Sequence, residues 1–141
     1  MLKKALLTKQ ICVTVVNKIG MLDLMAGYLA DRAINIEAIA GYEMPGSNQA
    51  AMMLVVDDTR RAREAIKERD FGQIEESEVI LVELDNKPGA LKTVTNLLAL
   101  KGINIRFIYA TTSLDVCPVR LIMSTSDNEA AFITLKKSAA K

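Results

Sequence analysis

The chain repeats itself at a spacing of 69 residues, without an insertion or a deletion. Residues 17–22, Asn-Lys-Ile-Gly-Met-Leu, return as residues 86–91, Asn-Lys-Pro-Gly-Ala-Leu, and residues 33–36 return as residues 102–105. A register kept this strictly indicates one folding unit that is used twice. A site proposed in one copy can therefore be compared with the same position in the other copy.

Charge and hydropathy argue against nucleic acid and membrane partners. The 141 residues are half apolar, and 18 basic side chains against 17 acidic ones leave a net charge of +1. This balance offers no electrostatic attraction to nucleic acid or to an anionic membrane. The apolar part of residues 1–7 is too short for a signal peptide, and no stretch is long enough to span a bilayer. We therefore expect a cytoplasmic protein.

The chain lacks the residues on which most catalytic and metal sites depend. It contains no histidine, and its two cysteines, Cys12 and Cys117, fall at different points of the repeat. Histidine is the commonest general acid–base and metal ligand. Both cysteines are interpreted as small buried residues within apolar strands, not as part of a disulfide framework. We predict no enzyme activity, no catalytic residue, no metal and no cofactor.

Hydrophobic periodicity predicts the same order of elements in both copies. In the first copy strands are predicted at 11–16, 34–42, 51–56 and 71–75, with helices following Gly20 and the capping residues Asp57 and Asp58. In the second copy strands are predicted at 79–84, 103–110 and 119–124, and helices at 91–100 and 127–137, with Pro88 near the first helical turn. The predicted fold class is α+β: two tandem ferredoxin-like βαββαβ units.

The second unit lacks its own fourth strand. Residues 71–77 would recur at 140–146, but the chain ends at 141, whereas the same shift applied backwards places them on residues 2–8. The N-terminal segment could complete the second sheet, in cis or from another chain, or it could be a frayed terminus. An unpaired edge beside residues 79–84 would favour aggregation. The expected domains are residues 9–77 and residues 78–141, the latter possibly completed by residues 2–8.

The repeated motif Asn-Lys-x-Gly-x-Leu lies at a turn into a helix. A helix N-terminus after a glycine turn presents free N–H groups and the positive end of a dipole, and both suit a carboxylate. Asn17 and Asn86 add donors and acceptors at that turn, and Asn35 and Asn104 add them from the start of the next strand. This mixture fits a zwitterionic amino acid. The alternative is structural, because asparagine and glycine at such turns also serve the backbone alone.

Residues 85–91, Asp-Asn-Lys-Pro-Gly-Ala-Leu, followed by residues 101–105, Lys-Gly-Ile-Asn-Ile, resemble the ACT domain family. The resemblance extends over nearly the whole chain as two tandem ACT domains. It implies a small regulatory module that pairs with other domains, binds an amino acid between paired domains, and acts through a partner enzyme. It also implies a homodimer.

The resemblance assigns ligand-binding residues in each copy. In the second copy these are Asn86, Lys87, Gly89, Ala90, Leu91 and Asn104, and in the first copy Asn17, Gly20, Met21, Leu22 and Asn35. Ile19 stands where the family has proline, and Ala33 where it has glycine. The second site is therefore expected to be the better one.

Two further classes of protein compete with an amino-acid sensor. The RNA recognition motif shares the strand order but stacks bases on aromatic side chains, which residues 50–56 lack. A dimerisation module without a ligand, serving as the regulatory subunit of a partner enzyme, stays open as the alternative. The basic run from Arg60 to Arg69 is interpreted as a solvated helix face with interleaved glutamates. Tyr42 and Tyr109 are expected either to line a pocket or to pack at an edge.

Overall fold

The computed structural model describes residues 2–111 and 118–139. Cys117 lies outside the described residues, so the prediction made for it has no structural counterpart. The chain divides into two compact units, Lys9–Ser77 and Met1–Thr8 together with Glu78–Lys141, which we name the first unit and the second unit. Whether each unit is an independently folding domain stays a prediction.

The first unit has the strand order β2-β3-β1-β4. Its elements are β1 (Leu2–Val16), α1 (Met21–Ala30), β2 (Ile36–Glu43), β3 (Gln49–Val56), α2 (Thr59–Arg69) and β4 (Gln73–Leu84). β3 is antiparallel to β1, with Ile11 opposite Leu54, and also antiparallel to β2. The unit therefore has the βαββαβ order that the repeat predicts.

The second unit has the strand order β1-β4-β6-β5. It adds α3 (Ala90–Leu100), β5 (Ile105–Thr111), β6 (Val119–Thr125) and α4 (Asn128–Ala139) to the other parts of β1 and β4. β6 is antiparallel to both β4 and β5. The predicted fold class, α+β with two tandem ferredoxin-like βαββαβ units, is confirmed. Within the residues that the structure describes, no strand follows α4.

Two strands are longer than predicted. The segments predicted at 2–8 and 11–16 form the single strand β1, and those at 71–75 and 79–84 lie in or just before the single strand β4. Neither β1 nor β4 contains glycine or proline, so no residue type favours a turn between the two predicted pieces. The fourth strand of one copy therefore continues directly into the first strand of the next.

The two hydrophobic cores correspond position by position. Ile11, Val13, Leu29 and Ile66 in the first core are matched by Ile80, Val82, Leu98 and Leu135 in the second. The side chains differ at some partner positions: Met25 and Leu54 in the first core become Val94 and Met123 in the second. All four are apolar and buried, and apolar exchanges of similar size are the substitutions that a close-packed interior tolerates best.

The N-terminal segment belongs to the second unit of the same chain. Leu2 is buried in the second core, at the repeat position that Phe71 occupies in the first core. Ala5 packs against the second core as Ile74 packs against the first. β1 and β4 are neighbours in the strand order, so the edge beside β4 is filled.

Three side chains of the first unit, those of Asp58, Arg61 and Cys12, follow the sequence predictions to different extents. Asp58 caps α2, because its side chain accepts a hydrogen bond from the Arg61 N–H at 3.1 Å. The basic face of α2 is not only solvated: the Arg61 guanidinium donates to the Arg32 carbonyl at 2.6 Å. Cys12 lies in a strand, as predicted, but it is half-buried and not fully buried. Partial burial together with the nearby charge of Glu75 raises the pKa of its thiol.

The connections from α1 to β2 and from α3 to β5 use the same left-handed backbone. Ala33 has a φ of 56° and its repeat partner Gly102 a φ of 69°. The Ile34 and Ile103 N–H groups donate to the Leu29 and Leu98 carbonyls at 3.0 and 2.9 Å. An L-residue with a side chain is disfavoured in this region by contact of its Cβ with the backbone. The first unit is therefore strained at Ala33.

We predict opposite effects for glycine–alanine exchanges at this repeat position. Ala33→Gly relieves the left-handed strain and is expected to raise the free energy of unfolding by about 0.5–1 kcal/mol. Gly102→Ala is expected to lower it by a similar amount through the dihedral angle alone, since a Cβ at Gly102 meets no atom within 4 Å. Urea unfolding at constant m-value measures both. Equal stabilities of the wild type and both variants would contradict the strain.

Candidate functional site

Each unit has a cavity beside the first turn of its first helix. In the first unit the end of β2 and the start of β3 form the other wall, and in the second unit the end of β5 and the start of β6 do so. The first cavity, about 370 Å³, is lined by Asn17, Leu22, Ile39, Ala40, Gly41, Tyr42, Glu43, Ala50, Ala51 and Met52. The second cavity, about 300 Å³, is lined by Leu84, Asp85, Asn86, Lys87, Ala90, Leu91, Ala110, Thr111, Val119 and Leu121. Asn17, Leu22 and Met52 correspond to Asn86, Leu91 and Leu121 under the 69-residue shift. The fold therefore forms the same site twice.

A glycine in the left-handed conformation precedes the helix at each site. Gly20 and Gly89 are the N-caps of α1 and α3, with φ values of 87° and 88°. The Met21 and Ala90 N–H groups donate to the carbonyls three residues earlier, at 3.4 and 3.2 Å. No side chain caps either helix. The N–H groups of the next residues in the first turn have no acceptor within the helix, as at any helix N-terminus. A ligand carboxylate could accept from them.

Polar side chains of both signs gather at the second cavity. Asp85 lies 3.3 Å from Lys3 and 3.8 Å from Lys87. Partial desolvation raises the pKa of Asp85, but hydrogen bonds and attraction from neighbouring positive groups, Lys3 among them, outweigh this and hold the pKa below its ordinary value of 3.8. Asp85 is therefore an anion at neutral pH. Its carboxylate can accept a hydrogen bond from a ligand ammonium group.

The two helix N-termini differ in charge. The first turn of α1 contains Asp23, whereas the first turn of α3 has no acidic residue and carries Lys92 at the repeat-equivalent position. A carboxylate approaching α1 meets a like charge, and one approaching α3 meets an opposite charge. The second site is thus better suited to an anionic group, because positive charge near a helix N-terminus adds to its dipole.

The structure brings together only part of the residues predicted for each site. Four of the six in the second copy line one cavity: Asn86, Lys87, Ala90 and Leu91. Gly89 lies beside this cavity and lines a different one between α3 and α4. In the first copy Asn17 and Leu22 line the cavity, Met21 is buried in the core and Gly20 is exposed at the turn.

Asn35 and Asn104 lie at the opposite end of the helix from the glycine turn. The main chain of each is tied to the loop before the next helix: the Asn35 N–H donates to Asp57 Oδ1 and the Asn104 N–H to Ser126 Oγ, both at 3.0 Å. The helix between the two asparagines of a copy spans about 15 Å. One amino acid cannot reach both Asn86 and Asn104 within one unit.

Other cavity residues were missed by the motif. Pro88, predicted near the first turn of α3, immediately precedes the N-cap Gly89. The hairpin residues Ala110, Thr111 and Val119 wall the second cavity from another part of the chain. Tyr42 lines the first cavity, whereas Tyr109 stacks on Phe107 with ring centroids 6.3 Å apart.

Among the residues that the structure describes, no group of three or more acidic, cysteine or histidine side chains could hold a metal ion. Within the same residues, no helix has the length and apolarity needed to cross a membrane.

Comparison with known families identifies both copies. Residues 11–70 match the family described as the AHAS small subunit-like ACT domain, and residues 79–137 match the ACT domain. The chain therefore belongs to the ACT domain family, as a tandem pair of ACT domains. A sequence comparison with curated proteins finds no match.

Solved structures share this fold over nearly their whole length. Protein BT0572 from Bacteroides thetaiotaomicron is 25% identical, with a TM-score of 0.85 over 95% of this chain and 90% of that chain. The ligand-free regulatory subunit of aspartate kinase from Thermus thermophilus is 19% identical, with a TM-score of 0.69 over 99% of both chains. A structure of aspartokinase alpha and beta subunits is 19% identical, with a TM-score of 0.65 over 100% of both chains.

We predict that Lys3 sets the protonation of the second site. Lys3→Met is expected to move the pKa of Asp85 upward, because it removes the hydrogen bond and the attraction that stabilise the carboxylate. A lowered native pKa stabilises the fold above the unfolded-state pKa, and this contribution is lost as the pH falls through the native value. The variant should therefore lose less stability in acid than the wild type.

Carboxyl-carbon NMR titration of Asp85 measures this pKa directly. Lys4→Met is the control, since it removes the same charge from the opposite face of β1. An unchanged Asp85 titration in Lys3→Met would contradict the role of Lys3.

Proposed function

We propose that the protein is a regulatory amino-acid sensor without enzyme activity of its own. The observation that carries this proposal is the repeated cavity, in which an uncapped helix N-terminus and an asparagine meet an apolar wall. Membership of the ACT domain family and likeness in fold to a regulatory subunit of aspartate kinase support a regulatory role. A partner enzyme would carry the regulated activity.

The lining of the second cavity favours an α-amino acid with an apolar side chain. The α3 N-terminus and Lys87 offer positive charge to the carboxylate, and Asp85 offers an acceptor to the ammonium group. The remaining wall is apolar, from Leu84, Leu91, Ala110, Val119 and Leu121. A charged ligand side chain would be desolvated against this wall without a partner, which costs several kcal/mol. An aliphatic side chain would be buried favourably there.

The assignment of Asn104 and Asn35 to a ligand site needs a second domain. Each lies a helix length from the turn asparagine of its own unit, so a shared ligand would require a paired ACT domain from another molecule. We propose a homodimer that supplies this pairing. Gly89, Gly20 and Met21 then act through the backbone of the turn and not through side chains.

A repeated apolar patch supports dimerisation and also the alternative function. Leu22 and Leu91 are 47% and 51% exposed, and Ile39 and Ile108 are 42% and 41% exposed. Ile39 and Ile108 pair with the core residues Leu54 and Met123, so they lie on the helix-covered face of the sheet. Both are on edge strands, β2 and β5, where the helices leave them partly exposed. A patch retained in both copies is also what a ligand-free dimerisation module would need.

We predict that aliphatic amino acids raise the melting temperature. A ligand that binds only the folded state adds about 2.7 kcal/mol at a hundredfold excess over its Kd. A thermal-shift screen of the twenty amino acids at millimolar concentration, followed by calorimetry, measures this effect. If no amino acid shifts the melting temperature, the dimerisation module becomes the better proposal.

A charge exchange between the two copies tests which site binds. Lys92→Asp should weaken binding at the second site, and Asp23→Lys should strengthen the first, each by roughly two- to fivefold, because charges in a first helical turn contribute about 0.3–1 kcal/mol. Both side chains are exposed, so the fold should tolerate both changes. If both variants bind the ligand with the wild-type affinity, the ligand lies away from these turns.

We predict that Ile108→Glu, and its repeat partner Ile39→Glu, weaken the dimer by placing a charge in the apolar patch. Leu100→Glu is the matched control, since Leu100 is an exposed apolar residue present in one copy only. Sedimentation velocity over a dilution series reports the dissociation. Equal dissociation of the control and the patch variants would argue against this interface.

A further inference from the structure

A groove runs between α3 and α4 on the second unit and has a composition that the ligand site does not explain. Two cavities of about 480 and 430 Å³ lie along it and share Leu97 and Ser138. Together they are lined by Gly89, Lys92, Thr93, Asn96, Leu97, Lys101, Ala130, Ile133, Thr134, Lys137 and Ser138. Among the residues that the structure describes, the lining includes three lysines and no carboxylate. α3 gives the groove a length of about 16 Å.

The same positions in the first unit satisfy one another. The Arg32 guanidinium lies 3.5 Å from the centre of the Tyr28 ring, which meets Phe71 edge-on with centroids 5.9 Å apart. Arg32 also lies 4.0 Å from Glu68 across the two helices. The Arg61 side chain crosses from α2 to the Arg32 carbonyl. Charged and aromatic groups are thus paired within the first unit.

The second unit replaces this set with like charges and an apolar residue. Arg32 and Glu68 become Lys101 and Lys137, so an attractive pair becomes two cations that line the same cavity. Glu64 becomes Ile133, which is 45% exposed at the groove. The substitutions remove internal partners and add apolar surface. Exposed charges contribute little to folding, so these changes cost the isolated unit little stability. They leave an exposed apolar residue flanked by cations, which an acidic apolar partner would complement.

We propose that the α3–α4 groove binds an acidic amphipathic helix of a partner protein. The apolar face of that helix would cover Leu97 and Ile133, and its flanking carboxylates would pair with Lys101 and Lys137. A helix laid in an apolar groove is a common mode of peptide recognition, and complementary charge at its rim fixes register and partner choice. One end of this groove, at Gly89 and Lys92, adjoins the cavity of Asn86 and Leu91, whereas Lys101, Ile133 and Lys137 line its other part and do not line that cavity.

A synthetic peptide of about 18 residues, long enough to form a helix, serves as the probe. It carries leucine on one face and glutamate on the other, and a second peptide with lysine in place of glutamate is its control. Binding is followed on the full chain by fluorescence anisotropy and by ¹⁵N amide shifts. We expect the acidic peptide to perturb amides of α3 and α4, with affinity that falls as salt is raised, and the basic peptide to have no effect.

The variants are chosen away from the proposed ligand site. Lys101→Glu combined with Lys137→Glu should weaken the acidic peptide about tenfold, and Ile133→Asp should do so independently. The control combines Arg60→Glu with Lys67→Glu on α2, which changes the net charge equally and should leave α3–α4 binding within about twofold. Circular dichroism and the melting temperature verify that each variant is folded.

Four outcomes would overturn the proposal. They are no binding of the acidic peptide at millimolar concentration, equal loss in the α2 control, and perturbation of the same amides by inorganic phosphate with equal affinity, which would indicate an anion site. The fourth is dissociation of the dimer by Ile133→Asp, which would make a second copy the occupant.

Discussion

The left-handed glycine before α1 and α3 determines where each helix begins and what its first turn faces. Gly20 and Gly89 adopt nearly the same dihedral angles, and in both copies the helix starts at the next residue without a side-chain cap. The main chain therefore presents the N–H groups of the first turn that have no partner within the helix, whatever side chains surround them. Side chains around them vary between the copies without altering this geometry. The chemistry that both sites share follows from the main chain, and their differences follow from side chains.

The strict repeat predicted the fold because periodicity, turn residues and order of elements agree in both copies. Its weakest predictions concerned β1 and β4, where a copy ends and the next begins. A repeat indicates where units recur but not whether a strand stops at their junction. Only the lack of glycine and proline in 2–16 and 73–84 pointed to continuous strands. The placement of Leu2 followed from the backward shift, because that shift aligned it with Phe71, which has the same role in its own core.

The candidate site was harder to predict than the fold. A motif describes residues near one another in the sequence, and it located Asn86, Lys87, Ala90 and Leu91 at one cavity. The opposite wall comes from the hairpin residues Ala110, Thr111 and Val119, whose proximity depends on strand order. Asn104 belongs to the motif but lies beyond the far end of α3, because β4 and β5 run parallel and the helix returns the chain to the other end of the sheet.

The two copies are alike at positions that set the backbone or fill the cores, and they differ in their surface charges. Positions that determine dihedral angles or fill the cores keep their character, as at Gly20 and Gly89. Charges on the outer helix faces change sign, as from Asp23 to Lys92 and from Glu68 to Lys137. Exposed charges contribute little to folding, so such reversals cost little stability in themselves. Their energetic effect is larger on a molecule that approaches, because its own charge meets a different local charge at the equivalent positions of the two units. One duplicated fold thus presents two surfaces of different charge, which is the basis on which the proposed ligands and partners would be discriminated.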